Sequence, residues 1–213
     1  MPNWCNNTIT ISGPTDTIKQ LWEDAHWTET SKDEDGNDIS VNCFGLLQAM
    51  APMPKELNGT TSPSEDGEDW YTWRVNNWGT KWDVDNEGLE FQDHGDGTSE
   101  ITGWFDSAWS PPVGAYEKFC DDMDNCSIDA WYEEGGMDFA GHWHDGQDDF
   151  LDGISDYARD VIKNGTSSCD LYDELDEYFD ITEQRREWIE EELEQERKDE
   201  KRGLYAQHQD VAN

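Results

Sequence analysis

The stretch Asn7-Thr8-Ile9-Thr10-Ile11-Ser12, broken by Gly13-Pro14 and followed by Thr15–Ala25, decides the fold. Ile9 and Ile11 fall on one side of the first segment and Thr8 and Thr10 on the other, the period of a half-buried strand. In the second segment Ile18, Leu21, Trp22 and Ala25 recur at spacings of three and four, which predicts a helix with Thr15 as its N-cap. A strand leading straight into an amphipathic helix needs a sheet for both to pack on, so the chain opens as a layered α and β domain.

Moving outward, Lys32–Asp38 reads as a charged loop, and Phe44–Met50 as a short helix ended by Pro52 and Pro54. The polar stretch Asn58–Asp69 leads into Trp70–Val75, read as a strand with Tyr71, Trp73 and Val75 on one face. Further strands are expected at Leu89–Phe91 and Glu100–Phe105. Ser110-Pro111-Pro112 suits a helix start, because proline is tolerated in the first turn, where amides lack partners. Val113, Tyr116, Phe119, Cys120 and Met123 then give that helix an apolar stripe. Ser127–Tyr132 and Met137–Trp143 complete the pattern as extended segments.

The order strand, helix, strands, helix, strands predicts an α+β ferredoxin-like sandwich over residues 1–147, an antiparallel sheet with two helices on one face. Residues 148–213 read as an α-helical C-terminal extension. Its first helix is marked by Phe150, Ile154, Tyr157, Val161 and Ile162, and its second by Leu171, Leu175, Tyr178 and Phe179. A third, about 182–202, is apolar only in its first half and relies later on pairs such as Glu194 with Lys198.

Charge restricts the partners. Fifty-one acidic residues against fourteen basic ones give a formal charge of -37, which repels nucleic-acid phosphates and anionic lipid and attracts basic proteins. Residues 1–147 hold 30 acids and 6 bases, so the acidity belongs to the foldable part of the chain and is not a tail. Twelve tryptophans argue for a folded, tryptophan-rich protein, since disordered acidic segments are poor in aromatics. The start Met1-Pro2-Asn3-Trp4 lacks the basic and apolar run of a secretion signal, and no apolar run approaches the roughly 20 residues of a membrane span. Five scattered cysteines without a CxxC pair fit free thiols in a reducing cytoplasm better than disulfides or zinc.

Several short segments occur together in one order: Met1-Pro2-Asn3-Trp4-Cys5-Asn6-Asn7, Pro52-Met53-Pro54, Asn77-Trp78-Gly79-Thr80-Lys81-Trp82-Asp83, Ala108-Trp109-Ser110-Pro111-Pro112, Glu133-Glu134-Gly135 and Phe139-Ala140-Gly141. Over residues 1–145 this series resembles the YubB-type ferredoxin-like family of bacteriophage and conjugative-plasmid proteins, a family of unknown function. The resemblance implies a mobile-element gene expressed in a host cytoplasm. It assigns no catalytic residue. Its motif positions Asn77, Trp78, Gly79, Thr80, Lys81, Trp82, Asp83, Trp109, Glu133 and Glu134 are the candidate binding residues. The helical extension and the extreme acidity depart from the family as the resemblance presents it.

Each constellation has a structural alternative. Trp78, Lys81 and Trp82 can form an exposed stacking surface, or the indoles can cap the core while Lys81 pairs with an acid; large aromatics favour burial. Asp83-Val84-Asp85-Asn86-Glu87-Gly88 matches the first half of a calcium loop, but His94 stands at position 12, and a hairpin turn at 86–88 is simpler. His142 and His144 share a strand face near Asp145, Glu133 and Glu134, two imidazoles and a carboxylate being a partial zinc set without an identifiable third ligand. No metal or cofactor is assigned, and no nucleophile or phosphate-binding motif is present.

Three functional readings follow. One is a noncatalytic acidic protein that binds basic host proteins, DNA-binding ones in particular, as a DNA mimic. Another takes the acidity as high-salt adaptation alone. The last is a small metal- or ligand-binding enzyme using the tryptophan-rich face or His142 and His144. The first is the expectation carried forward.

Overall fold

The computed structural model describes residues 3–64, 67–144 and 146–210, with side chains described as far as residue 202. The chain forms two compact units, Met1–Phe150 and Leu151–Asn213. The first is built on a sheet whose central strand β1 (Trp4–Pro14) runs straight into helix α1 (Thr15–Asp24). Then come the hairpin strands β2 (His26–Lys32) and β3 (Asp38–Phe44), the short helix α2 (Leu46–Met50) and helix α3 (Trp70–Trp78). Strands β4 (Leu89–Asp93) and β5 (Thr98–Ala108), helix α4 (Val113–Asp122), and strands β6 (Ser127–Glu134), β7 (Phe139–His144) and β8 (Gln147–Asp152) follow.

The sheet order is β4-β5-β1-β6-β7-β8, and β1 is antiparallel to both neighbours, with Ile9 opposite Gly103 and Ala130. The six elements β1, α1, β4, β5, α4 and β6 make the split βαβ pattern of the ferredoxin-like sandwich. The β2–β3 hairpin, α2 and α3 lie between α1 and β4 in the chain, and β7 and β8 extend the sheet.

Alternation along β1 sets which face carries the core. Cys5, Asn7, Ile9 and Ile11 are buried with Ile101, Phe105, Ile128 and Ala130 under Ile18, Leu21, Tyr116 and Phe119 of the helices α1 and α4. The other face carries Trp4, Thr8, Thr10, Thr102 and Trp104, of which Trp4 and Trp104 are about half exposed. None of the five cysteines, all among the described residues, is in a disulfide. Among the described residues no helix is long and apolar enough to cross a membrane.

Two segments differ from their sequence reading. Residues 70–75 form the start of helix α3, not a strand: Asp69 caps the helix by accepting the Thr72 amide, and Gly79 ends it at φ 89°. Those end signals outweigh the strand preference of Tyr71, Trp73 and Val75. The charged stretch 32–38 is the turn of the β2–β3 hairpin, closed by Asp33 accepting the amides of Asp35 and Asn37. Thr15 is the first residue of α1 and not its cap; its hydroxyl accepts from Ser99 on β5.

The second unit is helical: α5 (Ile154–Asn164), α6 (Asp170–Phe179) and α7 (Ile181–Asp210). Ile154 and Ala158 of α5, Tyr172 and Leu175 of α6, and Ile181, Ile189 and Leu193 of α7 are buried. The Asp176 carboxylate accepts both the amide and hydroxyl of Thr182, and Arg159 reaches Glu192 and Glu196 across α5 and α7. Beyond Leu193 the helix is exposed on all sides to residue 202, with Lys198 paired to Glu194 at 2.8 Å.

Candidate functional site at the Trp4 end of the sheet

The motif segments meet where β1 begins and β5 and β6 end. Asn3 accepts the Trp109 amide at 3.0 Å, which holds Trp109 in a left-handed backbone conformation at φ 68°. Thr80 takes both sides of Ala108: its hydroxyl donates to the Ala108 carbonyl at 2.9 Å and accepts the Ala108 amide at 3.0 Å. Ser110 donates to the Gly79 carbonyl, and Ser107 donates to the Ser110 carbonyl at 2.8 Å. Gly79 allows this approach, since a Cβ there would lie 2.9 Å from the Pro111 carbonyl oxygen. The segments are therefore bound mainly to one another.

Several of the candidate residues are engaged in contacts within the fold. Trp78 is fully buried, and its indole donates to the Ala51 carbonyl at 2.7 Å. Asn77 closes α3 by donating to the Trp73 carbonyl. Asp83 accepts the amides of Leu47 and Gln48 at 2.9 and 3.0 Å, so it caps α2, and also accepts that of Val84. Burial raises its pKa from the ordinary aspartate value, against the lowering effect of those amides. Both oxygens of Asp83 accept backbone amides, and residues 86–88 form the turn into β4 instead of a hairpin.

Glu133 and Glu134 are both buried, on opposite faces of β6. Glu134 clamps the β6–β7 turn by accepting the amides of Gly136 and Met137. Glu133 lies in register with Asn6 and Ala140.

His142 and His144 share a face, as their spacing requires, but each faces its own carboxylate: Asp129 at 3.0 Å and Asp149 at 3.1 Å. The His142 ring also stacks on Trp131 at 3.6 Å. Among the described residues no group of three or more histidine, cysteine, aspartate or glutamate side chains is placed to hold a metal ion. Asp145 lies outside the described residues.

An aromatic ledge remains at the surface. Trp4 is 49% and Trp82 36% exposed, with ring centres 5.9 Å apart, and Trp82 stacks on Trp109 at 6.5 Å. Lys81 completes it from inside the chain, its ammonium 4.6 Å from the Trp82 ring and within 5.6 Å of Tyr71 and Trp109. Arg74 lies likewise over Trp78 and Trp70, at 4.7 and 5.4 Å. Lys81 therefore meets indoles where an acidic partner was the alternative. Beside the ledge stand Asp85 and Asp106, which single-residue inspection passes over; Asp106 could have been found from alternation, since it shares a face with Asn6 and Trp4.

A family model described as the ferredoxin-like domain of Api92-like proteins matches residues 77–207. The chain belongs to that family. The matched span takes in the Asn77–Asp83 segment and the helical unit, so the helices are part of the Api92-like pattern and not a departure from it. The crystal structure of protein api92 from Yersinia pseudotuberculosis is similar, at 12% sequence identity and a TM-score of 0.46, over 71% of this chain and 98% of that one. No curated protein matches.

Proposed function

We propose that this Api92-like chain is a noncatalytic protein of a phage or related mobile element that binds basic, DNA-binding proteins in the host cytoplasm by presenting carboxylates in place of phosphates. The observation behind the proposal is how few basic residues the sequence supplies to pair with those carboxylates. Residues 1–147 hold 30 acids and 6 bases. Two of the 6, Arg74 and Lys81, lie over indole rings. Lys19, Lys32 and Lys118 pair with Glu23, Asp38 and Asp122, which occupies three of the 30 acids. An acidic surface on rigid strands and helices steers a basic partner at long range, and salt screens that attraction over about 8 Å at physiological ionic strength. The mobile-element origin rests on the series of motif segments.

The test is retention of host proteins on the immobilised chain, eluted by rising salt with and without duplex DNA. The expected result is a DNA-binding protein released at moderate salt and displaced by the duplex. Retention of nothing, by a chain that folds only in concentrated salt, would assign the charge to a saline environment and end the proposal.

A further inference from the structure

The cleft beside the aromatic ledge has a composition of its own. It measures about 220 Å³ and is lined by Trp4, Trp82, Val84 and Ala108 together with the acids Asp83, Asp85 and Asp106, of which Asp83 is already held by the α2 amides. The two indoles are inclined at 39°, so they form a wedge and not a closed stack. No basic residue lines it; Lys81, whose ammonium serves the same Trp82 ring, is absent from its walls. Asp106 is exposed at the rim but partly desolvated, and that partial burial first, then the neighbouring charge of Asp85, push its carboxyl up from its ordinary value, the response of a carboxylate without a counter-cation. Aromatic faces and carboxylates converging on one opening favour a cation that is flat and weakly hydrated.

We propose that this cleft receives an arginine side chain of the basic partner, its guanidinium against the Trp4 and Trp82 rings and its N–H groups donating to Asp85 and Asp106. The inference builds on the proposed binding of a basic protein and names the anchor point for it. Arginine fits better than lysine because a planar fork can stack on an indole and still donate to two carboxylates, whereas an ammonium is a more strongly hydrated point charge. Charge also selects against a second copy of the chain, which would bring another surface of net -37 against this one.

The probe is acetyl-Gly-Arg-Gly-amide titrated into the full chain, with the indole N–H resonances of all twelve tryptophans followed by NMR. The peptide should shift Trp4 and Trp82, and its lysine counterpart should do so several-fold more weakly. Trp4→Ala should weaken binding about tenfold, the scale of a cation–π contact in a partly desolvated site. Asp106→Asn, at an exposed position, should weaken it about threefold at low salt with the fold intact, the scale of a single exposed charge interaction. Equal shifts with both peptides, or shifts confined to other tryptophans, would overturn the inference. Concentration-dependent shifts of Trp4 and Trp82 without peptide would overturn it in favour of self-association. A cleft variant that still retains host protein as well as the parent would sink the anchor alone and leave the acidic-surface proposal standing.

Discussion

Trp78 and Trp82 stand four residues apart in one motif, yet they belong to different regions of the molecule. Trp78 ends helix α3 inside the core, with no exposed surface and its one polar atom satisfied by Ala51. Gly79 then reverses the chain in a left-handed turn, Thr80 ties it to β5, and Trp82 emerges beside Trp4 and Trp109. The difference shows that a motif of paired tryptophans is not one structural unit. One indole builds the platform and the other is left on its surface.

Replacing the buried member should break the platform. Trp78→Ala removes a fully buried indole and is expected to lower stability by about 3–5 kcal/mol, read as a lower urea midpoint. A smaller effect comes from the carboxylates that each region holds. Asp83 beside the core and Asp106 in the cleft both have raised pKa values, burial being the first cause in each. Through these two groups the folded chain binds more protons than the unfolded one above the ordinary aspartate value of about 4. Stability should fall as pH rises from there through the raised values, so thermal unfolding at constant ionic strength should come later at pH 5 than at pH 7. Below about 4 the trend should reverse, because Asp33, Asp69, Asp96 and Asp149 are held below their ordinary value by hydrogen bonds and lose them on protonation. The smallest effect belongs to the ledge. Trp82→Ala should cost less than Trp78→Ala in the same urea experiment, about 1–2 kcal/mol, since 36% of its surface is already in water. A loss as large as that of Trp78→Ala would erase the distinction between the two regions.

The alternation at Asn7–Ser12 and the spacing of Ile18, Leu21 and Trp22 carry enough to place β1, α1 and the core face, because strand and helix periods are local. Residues 26–44 were less legible. Trp27-Thr28-Glu29-Thr30 and Ile39-Ser40-Val41 alternate around Gly36-Asn37, but the hairpin they form is exposed on both faces and so shows no apolar side. Helix α3 was legible in its ends, Asp69 and Gly79, and obscured by its strand-favouring interior. The role of Asp83 could not be read at all, since the amides it caps lie 35 and 36 residues earlier. Nor could the split between Trp78 and Trp82, which depends on where one glycine turns the chain.

The position of β1 at the centre of the sheet has a consequence for how the protein is made. Pro14 pairs with Thr98, Trp4 with Ala108, and Asn6 with Glu133, so the central strand is synthesised long before either neighbour. At about 5–20 residues per second the ribosome needs on the order of ten seconds to deliver them. During that interval the β1 segment has neither strand partner, and its uncharged run Asn7–Ser12, alternating threonine with isoleucine, is the kind of segment that pairs readily with another chain. The sheet closes late, around a strand that was ready first.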